Sequence, residues 1–94
     1  MELIHPGEIL KMEIIEGRNL TIAKAAIHLG VTRTTLSNIL NGKAAITPNI
    51  ALRVQAVFGG SARFWVRLQS TYELTQAEIF FATHPPKLSQ LVLV

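Results

Sequence analysis

Apolar residues in this chain recur at intervals of three and four rather than two, and Gly, Pro and Asn-Gly breaks cut the pattern into short blocks. Five helices are predicted, with no hairpin and no βαβ unit. The first spans Pro6 to Ile15: proline suits a helix start, Glu8 faces the positive end of the helix dipole, and Gly17 ends the block. Ile9, Leu10, Ile14 and Ile15 form its core face. The second opens on Thr21 as N-cap, turns Ala25, Ala26 and Leu29 inward and stops at Gly30. The third follows at once from Thr32, with Leu36, Ile39 and Leu40 inside and Asn41-Gly42 as its stop. The fourth runs from Thr47-Pro48 to Gly59-Gly60, burying Ile50, Ala51 and Val54, with Val57 and Phe58 as further candidates. From Ser61 the fifth places Phe64, Trp65, Leu68 and Tyr72 on a core stripe. Thr75 to Ala82 can extend that helix, His84-Pro85-Pro86 must stop it, and LSQLVLV reads as a short strand or an adhesive tail.

Only Gly30-Val31 separates the second block from the third, and so short a link forces two helices to cross steeply. Such a corner needs a small residue where the helices approach, a glycine able to take positive φ, and apolar residues on both inner faces. Ala26, Gly30, Val31, Leu36 and Ile39 answer those demands in order, which marks a helix-turn-helix. Burying Leu36, Ile39 and Leu40 leaves Arg33, Thr34, Ser37, Asn38 and Asn41 facing outward. An arginine fork can pair with guanine, threonine and serine can bond either base or meet a thymine methyl, and asparagine can pair with adenine. Thr and Ser are mediocre helix formers, which a merely solvated face would not favour. Thr21, Lys43 and Thr47 flank this helix as candidate phosphate contacts, fixing position without reading sequence.

Charge sharpens this picture. All six acids lie at Glu2, Glu8, Glu13, Glu16, Glu73 and Glu78, whereas Arg18, Lys24, Arg33, Lys43, Arg53, Arg63 and Arg67 fill the acid-free stretch between. That block suits a polyanionic partner better than the net charge of +3 suggests.

Ninety-four residues make one core and leave no room for a second domain. There is no cysteine, hence no disulfide or thiolate metal site, which suits a reducing cytoplasm. The start of the chain lacks the form of an export signal, and no apolar run reaches the roughly 18–20 residues of a membrane span. His5, His28 and His84 have no metal-ligand spacing, so no metal or other cofactor is assigned. No Ser-His-acid set or phosphate-binding glycine loop is present, and catalysis is not expected. The apolar content of 49% exceeds what so small a core hides, pointing to an oligomer or partner surface near the end of the fifth helix and the tail.

Three stretches, HPGEILK, VTRTTLSNILNGKAAITP and ALRVQAVFGGSARFWVRLQSTYEL, occur in an order and spacing that resemble the plasmid-maintenance antidote family of HigA and VapI antitoxins. That family lies within the phage-repressor-like helix-turn-helix superfamily. The resemblance covers Ile4 to Leu74. It implies a homodimer that binds double-stranded operator DNA in its own operon and neutralises a HigB-like toxin, an RNase that cuts messenger RNA. It also implies that Thr32, Arg33, Thr34, Ser37 and Asn38 are the DNA-reading positions. Two departures stand out: Ile22 replaces the glutamine usual after the threonine opening the second helix, and residues 75–94 lack the charged helical tail common in relatives.

The resulting expectation is an all-α, five-helix domain over residues 1–74 with a C-terminal extension, residues 75–94, available for dimer or partner contact. A stand-alone phage-type repressor and a protein-interaction module that has lost DNA binding are the alternatives, the latter hinted at by Ile22.

Overall fold

A computed structural model describes residues 3–92; Met1, Glu2, Leu93 and Val94 lie outside the described residues. Helix α1 (Pro6–Leu10) passes into a wider π-helical turn, Lys11–Glu16, and is followed by α2 (Ile22–Leu29), α3 (Arg33–Leu40), α4 (Pro48–Phe58) and α5 (Ala62–Thr83). Each of the last four helices starts at a hydroxyl cap read from the sequence. Thr21, Thr32, Thr47 and Ser61 accept the amides of Lys24, Thr35, Ile50 and Phe64, satisfying donors that have no partner inside the helix. No helix among the described residues is long and apolar enough to cross a membrane.

The core gathers Leu10, Ile14 and Ile15 from the first segment, Ala25, Ala26 and Leu29 from α2, Leu36, Ile39 and Leu40 from α3, and Ile50, Ala51 and Val54 from α4. Ile46, Ala62 and Trp65 close it. Helix α1 is laid directly on the end of α3: a Cβ on Gly7 would overlap the Ile39 carbonyl, so only glycine allows this approach. His5 completes the junction. Its Nδ1 accepts the Gly7 amide at 2.9 Å, its ring meets Tyr72 of α5 edge-on at 4.9 Å, and Gly42 packs against its side chain.

The first segment departs from the expected single α-helix over 6–15. At Lys11 its winding widens, and the Gly17 amide donates to the Met12 carbonyl five residues back, at 2.9 Å. Gly17 follows the last turn with a right-handed φ of −65°, and the left-handed residue of the connection is Asn19, at φ 56°. Arg18 steadies this turn, donating to the Glu13 carbonyl at 3.0 Å while its guanidinium lies 5.5 Å from the centre of the Phe58 ring.

The core stripe of α5 is also rotated from expectation. Trp65 is buried, but Phe64 is 51% exposed, Leu68 and Tyr72 are half-buried, and Gln69 takes the inner position. Helical periodicity is the reason: Ala62, Trp65, Gln69 and Tyr72 recur at three and four, whereas Phe64 is turned about 100° from Trp65. Gln69 is tolerated inside because its Oε1 accepts the Ile46 amide at 2.9 Å, tying the α3–α4 loop to α5. Helix α5 runs without a break across the expected 74/75 boundary, and residues 85–92 follow with no regular secondary structure and no strand.

Burial pushes the His5 pKa below its ordinary value of 6.5, against the opposing charges of Glu8 and Glu73. The unfolded chain therefore binds this proton more readily than the folded one. Stability from this site is complete above about pH 6.5 and falls as the pH drops through that value towards the depressed folded pKa. Urea unfolding at stepped pH should show a declining midpoint below pH 6.5 in the wild type. His5→Asn should start lower and show a shallower slope there; an equally steep slope would remove His5 as its source.

Candidate nucleic-acid interface

The corner between α2 and α3 is closed by backbone geometry. Gly30 adopts φ 68°, its amide reaches the Ile27 carbonyl at 3.2 Å, and the Val31 amide reaches Ala26 at 3.1 Å. This is a Schellman closure whose apolar partners are the expected Ala26 and Val31. The far end of α3 repeats it: Gly42, at φ 74°, bonds the Ile39 carbonyl at 3.1 Å, and the Lys43 amide bonds Asn38 at 2.8 Å. Both ends of α3 are thus fixed by glycines in the left-handed region, and the exposed Lys43 side chain projects from a tethered backbone.

Between these closures Thr32, Arg33, Thr34 and Asn38 are exposed and Ser37 is half-buried. Thr32 Oγ1 accepts the Thr35 amide at 3.0 Å and lies 2.8 Å from Thr35 Oγ1, so Thr35 joins the polar face. Ser37 Oγ accepts from Asn41 Nδ2 at 3.2 Å, which holds both side chains in one arrangement along the helix. Asn38 and Thr47 share a hollow of about 450 Å³ with Thr35, Asn49 and Arg53, so the N-terminus of α4 borders the outer face of α3. Thr21 stands apart from that hollow, at the start of α2, a helix of about 12 Å. Its hydroxyl holds the Lys24 amide at 3.1 Å. Ile22 is half-buried against the core.

Arg53 is the important residue that sequence reasoning left inside a general basic block. Its Nη1 donates to the Leu29 carbonyl at 2.9 Å and the Gly30 carbonyl at 3.2 Å, and its Nε donates to Asn49 Oδ1 at 2.8 Å. The guanidinium caps the end of α2 at the corner itself, and a Cβ on Gly30 would crowd it. The seven central cations therefore divide. Arg18 and Arg53 serve the fold, Arg63 and Arg67 line a separate hollow between α4 and α5, and Lys24, Arg33 and Lys43 are exposed around the helix-turn-helix. Only the spacing Asn49–Arg53, one helical turn on α4, was available in the sequence as a signal. No group of three or more His, Asp or Glu among the described residues is placed to hold a metal ion.

A short polar helix held rigidly at both ends, resting on a second helix and flanked by exposed cations, defines a helix-turn-helix domain. A helix-turn-helix family profile matches residues 11–65. The chain is 37% identical over 78 residues to virulence-associated protein I of Dichelobacter nodosus, covering 83% of this chain and 72% of that one. Its fold is similar to that of Pseudomonas aeruginosa antitoxin HigA, solved with the higBA promoter, at a TM-score of 0.86 and 32% identity over 97% of this chain and 100% of that one. It is similar also to antitoxin GraA in complex with its operator, at a TM-score of 0.84 and 32% identity over 99% and 95% of the two chains. The chain belongs to the helix-turn-helix family of the HigA and VapI antitoxins.

Replacing Arg53 by alanine leaves the Leu29 and Gly30 carbonyls without this donor. We expect a loss of about 1–3 kcal/mol in urea unfolding, in the range of charged hydrogen bonds. A loss within experimental error would mean that the corner closes without Arg53.

Proposed function

We propose that this protein is the antitoxin of a toxin–antitoxin pair, a homodimer that represses its own operon and silences a co-encoded HigB-like toxin, an RNase that cuts messenger RNA. The observation that carries the DNA-binding half is the outer face of α3: Arg33, Thr34 and Asn38 are exposed on a helix whose two ends are locked. A helix so held enters the major groove with its N-terminal residues on base edges. In this reading Thr32, Arg33, Thr34, Ser37 and Asn38 meet the bases, while Thr21, Lys43 and Thr47 meet phosphates. Likeness to HigA and GraA, both solved with their DNA, supports the reading. Two copies would set their α3 helices on half-sites about one turn, or 10–10.5 base pairs, apart or a multiple of that. Action is by binding rather than catalysis, and a DNA partner makes the cytoplasm the site of action.

The toxin-silencing half rests on family likeness and is tested by co-expression with the product of the neighbouring reading frame. Co-purification together with restored growth is the expected result. Two folded proteins that neither associate nor restore growth would leave a stand-alone repressor.

For the DNA half, Arg33→Ala should cost about 1–3 kcal/mol of operator affinity and relax preference at one base position. Lys43→Ala should instead weaken all duplexes alike and reduce the salt slope by about one unit. Binding isotherms across a salt series separate the two, and an unchanged Arg33→Ala isotherm would take Arg33 out of base reading.

A further inference from the structure

Seven of the fourteen large apolar residues exposed on the described chain fall within residues 74–92. Leu74, Ile79, Phe80 and Phe81 lie on the second half of α5, beyond the part anchored in the core by Trp65 and Gln69; Leu88, Leu91 and Val92 lie on the tail. The molecule is correspondingly long, 58 × 25 × 23 Å. Along α5 runs a hollow of about 710 Å³ with Leu3, Ile79 and Phe80 among its apolar walls and Glu73 as the only charged lining residue among the described residues. No residue of the described tail, 85–92, lines it, and Leu88, Leu91 and Val92 remain 74%, 82% and 71% exposed.

We propose that this hollow receives the tail, residues 85–92, of a second copy, so that two chains exchange tails across their α5 helices. The proposal rests on the homodimer of the preceding subsection and names the segment that joins it. Chemistry matches on both sides: the tail offers three aliphatic side chains and one charged group, Lys87, and the hollow offers apolar walls and the carboxylate of Glu73. The hollow takes the apolar part of the tail. The hollow, lined from Glu73 to Thr83 on α5, is about 15 Å long, the span of about five extended residues such as Leu88 to Val92, with Pro85 to Lys87 left to bridge from one copy to the other. Pro85-Pro86 removes two amide donors and stiffens the exit. The exit point is itself fixed, because His84 stacks on Phe80 at 4.4 Å and its Nδ1 lies 2.9 Å from Thr83 Oγ1. A reciprocal exchange closes on two copies and covers the apolar surface that a single copy leaves in water.

The chain has no cysteine, so introduced thiols report only the intended contact. Full-length Ala77→Cys and Leu91→Cys chains, mixed and oxidised, should form a mixed disulfide in preference to either self-pair. Full-length Leu88→Asp/Leu91→Asp should keep its circular dichroism spectrum while its dimer dissociation constant, from sedimentation equilibrium, rises roughly a hundredfold. A wild-type chain that sediments as a monomer would overturn both this proposal and the homodimer. A dimer as tight in the Asp variant as in the wild type, or Leu91→Cys linking only to itself, would overturn the tail exchange and leave the homodimer standing.

Discussion

Everything this chain presents depends on one backbone constraint, the reversal at Gly30-Val31 that sets α3 across α2. Gly30 supplies the left-handed φ, Val31 and Ala26 pack beneath it, and Arg53 reaches from α4 to occupy the carbonyls that the end of α2 leaves unpaired. The other end of α3 is held as firmly, by Gly42 and by α1 seated on the Ile39 carbonyl through Gly7. The outer side chains of α3 are thereby borne on a frame that need not be ordered when a partner arrives, and pre-organisation of this kind lowers the entropy cost of binding.

Much of this was legible in the sequence because the punctuation is local. Thr21, Thr32, Thr47 and Ser61 are short-range caps, and Gly30 and Gly42 sit where only left-handed φ closes a helix. What escaped depends on contacts distant in sequence. Phe64 was read as core and Gln69 passed over because hydrophobicity alone cannot anticipate that the Ile46 amide, 23 residues away, needs an acceptor inside. The π-helical turn after Leu10 has no composition mark, and its partner Arg18 read only as a charge. For the candidate site, the polar face of α3 followed from periodicity, whereas the bond from Arg53 to the corner spans 24 residues and required the fold.

The basic block illustrates the limit of counting charges. Arg18 and Arg53 commit donors to backbone carbonyls, so part of what they contribute to affinity comes through the shape of the domain, while each guanidinium keeps its charge. The apolar excess in the composition is likewise uneven: the helix-turn-helix hides a large share in a continuous core, and half of the large apolar residues left exposed among the described residues collect on the projecting part of α5 and the tail. Exposed cations thus gather around the helix-turn-helix and a run of exposed apolar residues on the far part of α5 and the tail, an arrangement suited to a protein that meets nucleic acid and another chain at once.

The central claim, that α3 on its locked frame is the surface that meets DNA, is tested most directly by an amide-resolved NMR titration with a duplex from the chain's own promoter. The account predicts that the largest shifts fall on residues 32–38, on Lys43 and on the amides opening α4, that they diminish as salt is raised, and that residues 85–92 are unmoved. Shifts centred on α5, with those of α3 unchanged, would contradict it.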